Sequence, residues 1–147
     1  MHRSPGTRPH TLLGTLLLIG AVACGGDTPS EPEINDPRAV KSNPSFAVDI
    51  EEIFDRKGCT AGGCHGSAQQ GGMDLRPGAA YTSLVGVTAS AEAIARVIPG
   101  DPEGSYIVMR VEGRQSVGSR MPLGGVPLDS IDITNLRSWI AQGAAEN

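Results

Sequence analysis

At 147 residues the chain has room for one small domain. Its aromatic residues are two Phe, two Tyr and one Trp, against 20 Gly and 11 Pro, so the apolar core is thin and the domain is of the kind that leans on a disulfide, a metal or a large cofactor. A formal charge of −4 at pH 7, with no run of Lys or Arg, excludes nucleic acid as a partner.

The chain opens with a basic stretch containing Arg3 and Arg8, followed by the apolar run Leu12 to Ala23. That run is too short to cross a hydrocarbon core of roughly 30 Å as a helix, and residues 1–23 read as an export signal. The sequence Ala21-Val22-Ala23-Cys24, continued by Gly25-Gly26, resembles a bacterial lipobox. The resemblance implies that Cys24 is lipidated and that the protein is anchored to a membrane of the cell envelope, on its periplasmic side. Ordinary cleavage nearby, leaving Cys24 as a free thiol or disulfide partner, is the alternative; an unpaired Cys is a liability in an oxidising compartment. Loss of residues 1–23 removes two Arg and no acid, leaving ten basic against sixteen acidic residues, a formal charge of −6. Residues 24–44, rich in Pro, Ser, Asp and Glu, read as a flexible tether, and residues 45–147 as the folded domain.

Within that domain Phe46, Ile50, Ile53 and Phe54 share one helical face, with Ser45 placed as N-cap, and predict a helix to about Lys57 that Gly58 stops. From Gly58 to Pro77 six glycines and no sustained period predict loop. Ala80 to Val85 is expected to form a turn or short helix, and Ala89 to Val97 a further helix ending before Pro99-Gly100. Tyr106 to Val111 fits a buried helix or a strand by pattern, and helix is preferred because its neighbours are helical. Asp129 or Ser130 caps a last helix over Ile131 to Gln142, with Ile133, Leu136 and Ile140 on one face beside Trp139, and Gly143 in the stop position.

The chemistry is concentrated in Gly58-Cys59-Thr60-Ala61-Gly62-Gly63-Cys64-His65-Gly66. Two cysteines followed at once by a histidine are the order of a c-type haem site, usually C-x-x-C-H, in which two thiols bond one porphyrin and the adjacent imidazole reaches its iron. Here four residues separate the cysteines, so two must loop out, and Gly62-Gly63 offers the backbone freedom for that. A Cys59–Cys64 disulfide is the plainest rival. A zinc site is poor, because no other Cys or His remains in the domain to complete four ligands.

A sixth ligand to the iron could not be a second histidine, since His65 is the only one left after residues 1–23. Met73, Met109 and Met121 are the methionine candidates. Met109 lies in an apolar run and reads as packing, and Met73 is close to His65 in sequence. Met121, in the loop Ser119-Arg120-Met121-Pro122-Leu123, is preferred.

The N-terminal helix, the Cys-Cys-His site, the Met-Pro loop and the closing helix resemble class I c-type cytochromes. More closely, the stretch from about Phe46 to Ala144 resembles the small cytochrome domains of exported planctomycete proteins. The residues that carry the resemblance are Cys64-His65-Gly66, Gly71 to Leu75, Pro99 to Pro102 with Ser105-Tyr106, Arg120-Met121-Pro122, and Leu136 to Ala144. It implies a mostly α fold, a small helical domain wrapped around one covalent haem with long Gly-rich loops. It also implies haem c bonded to Cys59 and Cys64, His65 and Met121 as iron ligands, and one-electron exchange with redox partner proteins, an electron carrier rather than an enzyme. The competing expectations are a haem-based ligand sensor and a disulfide-stapled envelope binding lipoprotein without haem.

Overall fold

The recurrence of apolar residues at 46, 50, 53 and 54 winds the chain into a helix that buries all four and leaves Val48 exposed. In the computed structural model, which describes residues 38–147, it begins as a π-helical turn, Phe46–Ile50, and continues as α1, Glu51–Arg56. Ser45 stands at the N-cap, but its hydroxyl donates to the Asn147 carbonyl oxygen. The Asn147 side chain and carbonyl instead accept from the Phe46 and Ala47 amides. Gly58, at φ +69°, ends the helix as expected.

Three further helices follow: α2, Ala80–Leu84; α3, Tyr106–Glu112; and α4, Ser130–Ala141. A single 3-10 turn, Gln70–Gly72, interrupts the loop after α1. The described chain is thus small and mostly helical, with isolated bridges and no sheet. None of its helices is long and apolar enough to cross a membrane. Of the two expected caps for α4, Asp129 serves, accepting from the Asp132 amide at 3.0 Å. Gly143, at φ +102°, closes the helix.

The helix expected over 89–97 does not form. The Ala89 amide turns to the Ile94 carbonyl, the Arg96 amide to Val87, and Val85 bridges Val97. Its only large apolar residues are Ile94 and Val97, too few to hold a helical face against competing contacts. Those contacts are specific: the Arg96 guanidinium donates to the carbonyls of Ser83, Gly71 and Gly72. The segment's own carbonyls, Ala95 and Arg96, accept the first amides of α3.

α4 packs against α3 and the π-helical turn. Trp139 lies 5.0 Å from Phe46, which also meets Phe54 and Tyr81 edge-on. Four of the five aromatic rings are therefore gathered on one side of the domain. Asp132, buried, is paired by Arg56 at 2.6 Å and Lys57 at 3.4 Å, which fixes α4 to the end of α1. Residues 38–44, read from sequence as the end of the tether, lie along α4. Arg38 pairs with Asp129, Asn135 brackets the segment through the Ala39 carbonyl and the Lys41 amide, and Pro44 is buried. The expected export signal, Cys24 and residues 24–37 lie outside the described residues.

Candidate cofactor site

Beside the aromatic cluster, whose Phe54 is shared with it, the domain is hollow. A cavity of about 730 Å³ opens between the end of α1, the loops around 63–75 and 89–96, α3, the 121–125 loop and Leu136 of α4. Its size is that of sites that bury a cofactor-sized ligand, roughly 300–1,000 Å³. Ile53, Phe54, Leu75, Ile107, Val111, Leu128 and Leu136 give it apolar walls.

Cys59, Cys64, His65, Met73 and Met121 all line this one cavity. Hydrogen bonds pin the cysteine loop at several points. The Cys64 amide donates to Ala61 at 2.8 Å and the His65 amide reaches back to the Cys59 carbonyl at 3.0 Å. The Leu75 amide then donates to the His65 carbonyl at 2.7 Å. Both cysteines are free thiols, Cys59 half-buried and Cys64 exposed. Burial, and secondarily the neighbouring Cys64, pushes the Cys59 thiol up to about 11, so at neutral pH it is protonated. Among the described residues no three His, Cys, Asp or Glu side chains are grouped to hold a bare metal ion.

His65 is held by one ring nitrogen. Nδ1 lies 2.7 Å from the Gln70 carbonyl oxygen, and since a carbonyl only accepts, Nδ1 carries the proton and donates. Nε2 is left with its lone pair, the arrangement found in histidines that bind metals. Burial lowers the imidazole's pKa, the Gln70 bond opposes that, and the nearby Arg110 and Arg96 lower it further. The neutral ligand-competent form is favoured.

Gly62 and Gly63, expected to supply the freedom for the wide cysteine spacing, have no left-handed φ. The glycine the loop requires is Gly66. A Cβ there would stand 2.1 Å from the Thr60 carbonyl oxygen and 3.0 Å from that of Ala61. Gly66→Ala is expected to destabilise the domain by about 1–3 kcal/mol, the usual cost of overpacking, in a urea titration; unchanged stability would show that the loop does not need this close approach.

The methionines separate cleanly. Met109, on α3, is not part of the cavity wall, whereas Met73 and Met121 are. The Met121 amide donates to the Arg110 carbonyl at 2.9 Å and Arg120 Nε to that of Val111 at 2.7 Å, tying the Met121 loop to the end of α3.

Composition and spacing gave no sign of the cavity's polar wall. Arg96 is only 7% exposed, lines the cavity, and binds three carbonyl oxygens with no carboxylate paired to it among the described residues. A buried guanidinium without a counter-ion is costly, and burial lowers its pKa. Arg110 lines the same cavity, its guanidinium 5.8 Å from the centre of the Tyr106 ring. The Tyr106 hydroxyl is buried and makes no hydrogen bond. An apolar hollow with a neutral imidazole, two thioethers, two thiols and the guanidinium groups of Arg96 and Arg110 on its walls suits a large, partly anionic ligand. Comparison with protein-family models, with curated proteins and with solved structures returned no match.

Proposed function

We propose that this domain is a monohaem c-type cytochrome, a helical fold closed around haem c that carries electrons at the cell envelope. The observation that carries the reading is the convergence on one cavity of Cys59, Cys64, His65 and Met121, with His65 Nδ1 committed to Gln70 and Nε2 free. The donor set fits the group. The two thiols are suited to add across two vinyl groups as thioethers, and His65 Nε2 and the Met121 sulfur would hold the iron. Arg96 and Arg110 offer positive charge for the two carboxylates that a haem carries.

A bound haem supplies one-electron transfer at its iron. The chain's residues supply the rest. Ile53, Phe54, Leu75, Leu128 and Leu136 exclude water, the Gln70 carbonyl sets the tautomer and orientation of His65, and the bond from Met121 to Arg110 holds the loop that bears the sulfur. The mature chain's formal charge of −6 suits a partner protein with a basic face. The lipobox resemblance at Cys24 supports a carrier held at a membrane surface by lipid.

The test is the absorbance spectrum of the mature domain made in cells with a c-type haem maturation system, beside His65→Ala. Wild type is expected to show a low-spin haem spectrum, with little carbon monoxide uptake when reduced, and His65→Ala to lose that spectrum and most of its haem. A low-spin spectrum unaffected by His65→Ala would overturn the ligand assignment. Ready carbon monoxide uptake by reduced wild type would favour a ligand sensor, and a colourless protein without free thiols the disulfide-stapled lipoprotein.

A further inference from the structure

The segment that carries Met121 has little apolar anchorage. Residues 116–120 are exposed, and Gly113 and Gly118 both take left-handed φ values, near +80°. Such a segment opens locally at low cost unless polar contacts hold it. Most of its hydrogen bonds are to its own neighbourhood. Arg110 donates to the Val117 carbonyl at 2.9 Å, Gln115 to that of Gly118 at 3.2 Å, and Arg120 to that of Val111 at 2.7 Å.

One residue reaches it from across the fold. Glu92 lies in the irregular 89–97 segment, immediately after Ala89, Ser90 and Ala91, which line the cavity. Its Oε1 accepts from the Ser116 amide at 3.2 Å and the Val117 amide at 3.1 Å, and its Oε2 from the Ser116 hydroxyl at 2.9 Å. These bonds, the Ser116 hydroxyl's foremost, hold the Glu92 carboxyl below its usual range, so it is ionised and accepts all three at neutral pH.

We infer that Glu92 is a positioning residue, a latch that joins the 89–91 wall of the cavity to the loop bearing Met121 and would keep the Met121 sulfur at the iron of a haem bound there. The inference rests on the haem reading above. With the latch cut, the loop is held by local bonds alone, and Met121 leaves the iron for a larger fraction of the time while His65 and the thioethers are untouched.

The experiment uses the haem-loaded domain as wild type, Glu92→Ala and Ser116→Ala, with haem content fixed by intact mass. The readouts are the long-wavelength sulfur-to-iron charge-transfer band of the oxidised form and the rate of carbon monoxide binding to the reduced form. Glu92→Ala is expected to weaken the band and speed carbon monoxide binding at least tenfold, at unchanged haem content. Ser116→Ala removes one bond from an exposed side chain and is expected to move both readouts the same way by a smaller factor, which keeps the test valid if Glu92→Ala fails to fold. A lower melting temperature with both readouts unmoved would overturn the latch and leave the haem reading standing. Wild type without haem would overturn both.

Discussion

Met121→Ala in the haem-loaded domain is expected to open the sixth position on the iron, lower the reduction potential by on the order of 0.1 V, and let the reduced form bind carbon monoxide. The thioether favours reduced iron, and no second histidine is present in the domain to replace it. Met73→Ala is the internal control. Met73 lines the same cavity and packs against the core, so its loss is expected to lower stability while leaving the potential nearly unchanged. Potentiometric titration of the two variants decides the matter: a large shift in Met73→Ala, with none in Met121→Ala, would exchange their roles.

The second large effect concerns stability. Without haem the domain is expected to be largely unfolded, or to melt at least about 20 °C below the loaded form, as loss of several kcal/mol implies for a domain of this size. Three of the other four aromatic rings pack around Phe46, while the space beyond Phe54 is an apolar hollow of about 730 Å³. At roughly 24 cal/mol per Å³ a dry void of that volume costs on the order of 15 kcal/mol, comparable to the whole stability of a typical domain. Water entering past the exposed Leu123, Gly124 and Gly125 reduces that cost but leaves the apolar walls wetted and Arg96 without a counter-charge. Calorimetry of loaded and haem-free protein measures the difference. A cooperative haem-free transition near the loaded value would mean that the core suffices by itself.

The parts of this fold legible in the sequence are those set by local periodicity. Phe46, Ile50, Ile53 and Phe54 marked the first helix, and Asp129 with Gly143 bracketed the last. Cys59, Cys64, His65 and Met121 were singled out by residue type and order alone, and they line one cavity. What escaped was tertiary. Ala89 to Val97 has helical composition, but its shape is decided by where Arg96 and Glu92 bond, partners 13 to 25 residues away. Arg96, inside the segment expected to be helical, is a buried cation beside the cavity. Gly66, not the more conspicuous Gly62-Gly63 pair, has the close backbone approach, and nothing in spacing alone distinguishes them.

Intact mass and the pyridine haemochrome spectrum of the denatured mature domain, made alongside a control cytochrome in the same cells, test the central claim most directly. One haem added to the chain mass, with the spectrum of two thioether bonds, is the result predicted for Cys59 and Cys64 lining one cavity with His65. An unmodified mass and a colourless protein, where the control cytochrome matures normally, would contradict it.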